Sequence, residues 1–123
     1  MLLEGQFTIT NWQESEQQQF EDKSKFTSAY VQQEYSGSIS GNSEIQYQMY
    51  YKPDGNAIFT GFERISGTLN NNPITLTLKH DGTFTNGVAS SNFIIVSSSV
   101  ERLINHSGTF ESIEGGKANY NMS

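Results

Sequence analysis

The stretch GFERISGTL (residues 61–69), followed after an Asn-rich loop by LTLKHDGTF (residues 76–84), decides the fold of this chain. Polar and apolar residues alternate along both segments, which is the pattern of β-strands that are buried on one face. On the apolar faces of these strands lie one carboxylate, Glu63, and one imidazole, His80. Because burying either group without a partner costs free energy, these two residues are the best candidates for a functional site.

The same alternation continues in both directions from this region. It predicts strands over residues 3–12, 26–35, 43–52, 57–65, 74–80, 83–85, 92–97, 108–113 and 117–122. Turns of hairpin length, such as Pro53-Asp54-Gly55, join most of them, so neighbouring strands should be antiparallel. An antiparallel meander of roughly eight strands removes its free edges by closing into a barrel. We therefore predict an all-β fold, an antiparallel barrel of roughly eight strands, in a single domain over residues 1–123.

Two segments are expected to interrupt the strands. Residues 13–25 are rich in Gln and Glu, which indicates a solvated loop with room for one helical turn. Asp81-Gly82 indicates a turn directly after His80. That turn would place His80 at the rim of the barrel.

Several strands also carry apolar residues on the face opposite the predicted core. These residues are Val31, Tyr35, Ile58, Phe62, Ile94 and Val96. A subunit interface would cover them, and so would a terminal segment or loop folded over the outside. We predict that a homo-oligomer covers them.

Composition and charge exclude several classes of function. The chain has 34% hydrophobic and 16% charged residues, too few charges for classical disorder. A net charge of −6, without a cluster among the seven Lys and Arg residues, argues against a nucleic-acid partner. No cysteine is present, so disulfide and thiol chemistry are excluded, which suits a reducing compartment.

Targeting and cofactor signals are also missing. The N-terminal residues Met1-Leu2-Leu3-Glu4 lack the basic region of a signal peptide, and no apolar run is long enough for a membrane helix. The His and acidic residues match no common metal-site spacing, and no nucleotide-binding motif occurs. We predict a cytoplasmic protein without membrane contact, cofactor or metal.

Three segments carry a resemblance to a known family. They are LEGQF at residues 3–7, the Gly-x-Glu-Arg-x-x-Gly segment that begins at Gly61, and the x-Leu-x-His-x-Gly strand end around His80. With these segments the chain resembles a bacterial family of small proteins of unknown function, similar in fold to the allene oxide cyclase barrel and, more distantly, to plant dirigent proteins. Where that family usually has a Ser-Gly-Thr-Gly-x-Leu stretch, this chain has SSSVERL at residues 97–103. The resemblance implies an eight-stranded antiparallel barrel, often oligomeric, with no assigned activity.

Glu63 and His80 are the predicted catalytic residues, and each has a second interpretation. A carboxylate among apolar residues can act as an acid or base, or it can pair with a basic group and hold strands together. Imidazole is suited to proton transfer at neutral pH. A structural role for His80 is favoured unless Glu63 lies within reach. Arg64 has the opposite parity to Glu63 and should face outward.

An aromatic face on the central hairpin is the predicted ligand-binding surface. Tyr47, Met49 and Tyr51 share one face of their strand, and Phe59 lies opposite them across the hairpin. Such a face is either plain core or the lining of a cavity in which phenol groups orient a polar ligand. Trp12, at the end of the first predicted strand, either gates the mouth of this cavity or anchors a loop.

Two hypotheses for the function remain open, and the sequence leaves undecided whether the protein is an enzyme. In the first, the barrel binds a small apolar ligand in a pocket open at one end, and any catalysis is cofactor-free proton transfer or cyclisation of the isomerase or cyclase kind. The residues predicted to line this pocket are Tyr47, Met49, Phe59, Glu63 and His80. In the second, the barrel is filled. It is then a non-enzymatic interaction module that acts through the outer residues Ile58, Phe62 and Ile94.

Overall fold

The computed structural model describes residues 2–123, so Met1, which opens the N-terminal segment considered above, lies outside the described residues. Eight β-strands make up the fold, together with one 3-10 turn at Glu101–Leu103. The strands are β1 (Leu3–Gln19), β2 (Lys25–Gly37), β3 (Ile39–Tyr51), β4 (Ala57–Leu69), β5 (Asn72–Thr85), β6 (Val88–Ser98), β7 (Ser107–Ile113) and β8 (Lys117–Met122). No α-helix occurs in residues 2–123, and accordingly no helix there is long and apolar enough to cross a membrane.

All eight strands form one closed sheet. Each strand pairs antiparallel with the next along the chain, and β1 also pairs with β8, from Leu3 opposite Met122 to Thr8 opposite Lys117. We call this closed sheet the ring. The prediction of an all-β fold with eight antiparallel strands is confirmed.

Most of the polar segment after Trp12 belongs to a strand, so the prediction of a loop over residues 13–25 was wrong for residues 13–19. The chain turns only between Gln19 and Lys25. β1 continues to Gln19 and pairs with β2 along this whole length, with register shifts between Ile9 and Asn11 and between Glu16 and Gln18. Its side chains are mostly exposed because β8 leaves β1 at Thr8, so the later part of β1 has a partner on one side only. Hydrophobic alternation is weak in such a strand, since no core covers either face.

The predicted turn at Asp81-Gly82 is also absent, because β5 runs through it. Asp81 pairs with Thr60 on β4 and with Asn92 on β6, and the chain turns only after Thr85. Gly82 is needed for close packing and not for a turn, since a Cβ at this position would overlap the ring of Phe59. His80 therefore lies in the middle of its strand and not at the rim.

The core fills the interior of the ring with the inward side chains of all eight strands. Val31 and Tyr35 belong to this core and not to the outer face on which they were predicted. Val31 pairs with Ile45 of β3, and Tyr35 pairs with Phe7 of β1, so both point inward with their partners. The other predicted outer residues are exposed, namely Ile58, Phe62, Ile94 and Val96.

The two ends of the ring differ. At the end where β1 begins, the 3-10 turn places Leu103 in the core, where it is fully buried. At the opposite end β1 and β2 extend beyond the last contact with β8, and the short β7–β8 hairpin covers less of the interior. The second end is therefore where an opening into the interior is expected.

Candidate functional site

A chain of four hydrogen-bonded side chains crosses the interior of the ring. The Nε2 atom of His80 lies 2.6 Å from Oε1 of Glu63, and the Tyr35 hydroxyl donates to Oε2 of Glu63 at 2.5 Å. On the other side of the imidazole, Nδ1 lies 2.9 Å from the hydroxyl of Ser91. Glu63 and His80 are each 1% exposed, so this network is shielded from solvent. The structure thus brings the two predicted catalytic residues into direct contact.

Regular strand pairing delivers these groups to one place. Tyr35, Glu63, His80 and Ser91 lie on β2, β4, β5 and β6, and all point into the ring. β4 pairs with both of its neighbours without a register shift, so the inward parity of Glu63 is kept along the strand. The contact between Glu63 and His80 follows because their strands are adjacent, although the residues are far apart in sequence.

One proton lies between the imidazole and the carboxylate. His80 Nε2 and Glu63 Oε1 are 2.6 Å apart, a distance that needs a hydrogen between the two atoms, and the Tyr35 hydroxyl already donates to the other carboxylate oxygen. On the opposite side of the imidazole, the Ser91 hydroxyl lies 2.9 Å from Nδ1 and 3.2 Å from the carbonyl oxygen of Asn92. Ser91 can donate to either atom, and the direction of its bond with Nδ1 depends on the tautomer of His80.

Both tyrosines near Glu63 are held in the neutral form. Burial, and then the charge and hydrogen bond of Glu63, raise the pKa of the Tyr35 hydroxyl well above its ordinary value. Burial and the charge of Glu63 likewise raise the pKa of Tyr47. Neutral phenols keep their proton, so the surroundings of Glu63 supply donors and no second anion.

A cavity of about 100 Å³ lies above this network, at the end of the ring beside the β7–β8 turn. Three of the four residues predicted to bind a ligand line it, namely Tyr47, Met49 and Phe59. The other members of the lining are mainly apolar and include Phe7, Ile9, Phe84, Ala89 and Phe110.

Tyr51, the fourth predicted ligand-binding residue, does not line this cavity. Its ring lies 5.0 Å from the ammonium group of Lys25, and its hydroxyl lies 3.9 Å from the sulfur of Met49. Tyr51 stands at the last position of β3, where the sheet has passed the cavity. It is half-buried at the end of the ring.

Aromatic rings separate the cavity from the Glu63–His80 pair. The ring centroids of Tyr47 and Phe110 lie 5.8 and 5.6 Å from that of His80, and both rings also line the cavity. Glu63 and His80 were predicted to line the same pocket, but they do not line this cavity, because these two rings cover them. The cavity and the proton-holding pair are therefore neighbours that share the Tyr47–Phe110 layer.

Gln33 is the polar residue of the cavity that sequence reasoning missed. Its side chain is 4% exposed and lines the cavity, and its carboxamide oxygen has no hydrogen-bond partner within residues 2–123. A signal was present, because Gln33 shares the parity of Val31 and Tyr35. It was overlooked because those two apolar residues were placed on the outer face.

Trp12 stands at the mouth of the cavity and is 42% exposed. The register shift after Ile9 places Trp12 opposite the inward residue Val31, so Trp12 and Ile9 share a face despite their opposite parity. Its indole N–H donates to Glu14 at 3.0 Å, and the same carboxylate accepts a hydrogen bond from Thr27 at 2.7 Å. The bulge thus turns Trp12 toward the inner side of the ring, and whether Trp12 acts as a gate or as an anchor stays a prediction.

The predictions for Arg64 and for metal binding concern side chains outside this site. Arg64 is exposed, as its parity indicated, and its Nε atom donates to the hydroxyl of Thr77 at 2.8 Å. Among residues 2–123, no group of three or more His, Asp or Glu side chains is arranged to hold a metal ion.

The chain was compared with the models of known protein families. The model of a family described as "Protein of unknown function (DUF3224)" matches residues 3–123. The chain belongs to this family. The predicted membership of a family of small proteins of unknown function is therefore confirmed.

A solved structure of the same family shares the fold. It is the crystal structure of a protein of unknown function from Shewanella oneidensis MR-1, with a TM-score of 0.71 and 20% sequence identity, covering 100% of this chain and 94% of that one. At this identity the likeness extends to the fold alone. No curated protein matches the chain. The similarity to allene oxide cyclase stays a prediction.

Proposed function

We propose that this protein binds a small, mainly apolar molecule in the cavity between Trp12 and the Tyr47–Phe110 layer. The observation that carries the proposal is the apolar cavity of about 100 Å³ itself, which reaches the exposed residues Trp12 and Ile113. An engineered apolar cavity of about 150 Å³ in another protein binds benzene, and the present cavity is of the same order of size. Packed interiors seldom leave such a space, so a cavity with an entrance favours a ligand over a filled core.

The size of the cavity restricts the ligand. Sites for drug-sized ligands usually enclose about 300–1,000 Å³, whereas this cavity encloses about 100 Å³. One six-membered ring, or an aliphatic chain of similar volume, fits it. A larger ligand has to extend past Trp12 into solvent.

The geometry supports binding more strongly than catalysis. Cofactor-free proton transfer or cyclisation, as in an allene oxide cyclase-like barrel, would need the ligand to reach Glu63 or His80. Tyr47 and Phe110 lie in between, so direct transfer requires one of these rings to move. In the proposed function the Glu63–His80 pair instead holds the floor of the site in place.

Toluene tests the proposal, because it is apolar and has one ring. At about 100 times its dissociation constant it should raise the free energy of unfolding by about 2.7 kcal/mol. Ala89→Leu, which fills the cavity, should abolish that increase. Ser90→Leu, at the next position on the opposite face of β6, is the matched control and should keep it. Absence of any effect on the parent protein, from toluene and from its hydroxylated analogue phenol alike, would reject ligand binding in this cavity.

The outer face supports a second candidate function, the homo-oligomeric interaction module. Phe62 is 57% exposed and pairs across β4–β5 with Lys79, which pairs in turn with Ile94 on β6. Ile58 and Tyr50 are also exposed and pair with each other on the same side of the sheet. The polar row that contains Thr60 and Asp81 lies between these two apolar rows. A monomer seldom exposes so many aromatic and aliphatic side chains on one outer face, so we propose a subunit interface here.

Sedimentation velocity tests the second candidate. The parent protein should sediment as an oligomer at micromolar concentration, and Phe62→Ser should sediment as a monomer. Val88→Ser, which removes an exposed apolar side chain at the end of the ring, is the control and should leave the oligomer intact. A monomeric parent protein would exclude this function.

A further inference from the structure

The cavity contains one polar group whose hydrogen-bonding capacity is unused. The carboxamide oxygen of Gln33 is buried without a partner within residues 2–123, and the side chain lines the cavity. We infer that the ligand carries a hydrogen-bond donor, a hydroxyl or N–H group, that binds this oxygen. The inference rests on the proposed function, and it makes the ligand a small phenol-like or alcohol-like molecule instead of a hydrocarbon.

The position of Gln33 is fixed by the sheet on both sides. Gln33 pairs with Ile9 on β1 and with Ser43 on β3, and its side chain points inward with those of Val31 and Tyr35. The register shift after Ile9 interrupts the regular pairing directly beside Gln33. The bulge and the amide are therefore neighbours in the wall of the cavity, which Ile9 and Gln33 both line.

An unpaired amide in this place is unfavourable for the empty protein. Buried carbonyl groups are nearly always hydrogen-bonded in folded proteins, and most of the residues that share the cavity with Gln33 are apolar. Leu or Met would fill the same space without an unsatisfied oxygen. A ligand donor removes the deficit, because it replaces the water that Gln33 loses on folding.

Ser43 provides an internal comparison. Its hydroxyl oxygen is also buried without a partner within the described residues, and it lies directly across from Gln33. Ser43 does not line the cavity, however. Loss of the Ser43 hydroxyl should therefore leave ligand selection unchanged, which makes Ser43→Ala the matched control for Gln33→Leu.

Phenol and toluene distinguish the two parts of the proposal, because they share a shape and differ in one donor group. Dissociation constants for both are measured by NMR titration of the full chain for the parent protein, Gln33→Leu and Ser43→Ala. The ratio of the toluene constant to the phenol constant should fall at least about tenfold in Gln33→Leu, the loss expected for one buried hydrogen bond. Ser43→Ala should keep the parent ratio.

Each outcome decides one question. If toluene binds the parent protein but the ratio is the same in Gln33→Leu, the donor inference is overturned and the binding function stands. If neither compound binds the parent protein, the binding function falls, and the inference falls with it. Gln33→Leu removes an unpaired polar group, so it should melt no lower than the parent protein, which shows that a changed ratio does not arise from unfolding.

Discussion

At the scale of single residues, Glu63 and His80 depend on each other. A buried carboxylate is tolerated here because the imidazole and the Tyr35 hydroxyl each bond one of its oxygens. The imidazole is oriented in turn by Ser91. Removing one member leaves the others buried without their hydrogen-bond partners. Removing Glu63 and His80 together leaves fewer buried polar groups without a partner.

A double-mutant cycle measures this dependence. His80→Leu alone should destabilise the fold by about 3–5 kcal/mol, because Glu63 stays buried without its main hydrogen-bond partner. The double variant Glu63→Leu/His80→Leu should cost clearly less than the sum of the two single variants. Urea unfolding at pH 7 gives all three values, and additive losses would show that the contact contributes nothing of its own.

Tyr47 affects stability at high pH. Its pKa is raised in the folded protein by burial and by the charge of Glu63, so the folded state holds the proton while the unfolded state loses it near pH 10. Stability contributed by Tyr47 is therefore complete below about pH 10 and decreases as the pH rises further.

Tyr47→Phe tests that effect and keeps the ring. Above about pH 10 its free energy of unfolding should fall less steeply than that of the parent protein, by about 1.4 kcal/mol per pH unit for one proton. Urea unfolding at several alkaline pH values measures the slope. Parallel curves for the two proteins would contradict the raised pKa.

At the scale of secondary-structure elements, the bulge in β1 determines the mouth of the cavity. β1 pairs with β8 as far as Thr8 and so closes the ring. After Ile9 the bulge turns Trp12 to the inner side of the same strand. Glu14, two residues further, holds the indole N–H and the Thr27 hydroxyl together. This part of β1 has the polar composition of a loop because it has only one strand partner.

Glu14 makes the position of Trp12 sensitive to acid. Burial raises the pKa of Glu14, but hydrogen bonds from Thr27, Tyr51 and Trp12 outweigh it and lower the pKa below the ordinary value of 4.5. For a lowered pKa the stabilising contribution is present above about pH 4.5 and disappears as the pH falls through the folded-state value. The hydrogen bond to Trp12 weakens in the same range.

Fluorescence of Trp12, the single tryptophan of the chain, reports this change. Its emission maximum should shift to longer wavelength below about pH 4.5 as the indole is released to water. Glu14→Gln should remove most of that pH dependence, because it has no proton to gain in this range. An identical acid transition in both proteins would assign the change to another group.

At the scale of the whole molecule, the two ends of the ring differ in structure. One end is sealed by Leu103 of the 3-10 turn, and the other holds the cavity. The Glu63–His80 network lies between them and joins β2, β4, β5 and β6 across the interior. Damage at the sealed end should therefore lower stability without altering the ligand site.

Leu103→Ala tests this separation. Truncating a fully buried Leu should destabilise the fold by about 2–5 kcal/mol, since it leaves a void where the ring is sealed. The dissociation constant for toluene, measured at a temperature where the variant is folded, should stay within about twofold of the parent value. A large loss of affinity would show that the two ends are coupled.

Much of the fold followed from the residues alone. The strand count, the antiparallel pairing and the inward parity of Glu63 and His80 all depend on a period of two residues and on short turns, which are local properties. Val31 and Tyr35 were assigned to the wrong face of their strand, and the bulge that turns Trp12 inward leaves no signal in the alternation. The loop expected at residues 13–25 is a strand as far as Gln19, because a strand with one partner needs no apolar face.

By itself the sequence determined a ring of antiparallel strands with an acid and an imidazole inside it, since alternation and turn chemistry act over a few residues. Only the tertiary structure decided that Glu63 meets His80, with Tyr35 and Ser91 as their partners. It also decided that a cavity remains above them, with Gln33 in its wall. These features depend on the register between strands and on how side chains of distant residues fill a shared space. A local sequence pattern predicts neither the register nor this packing.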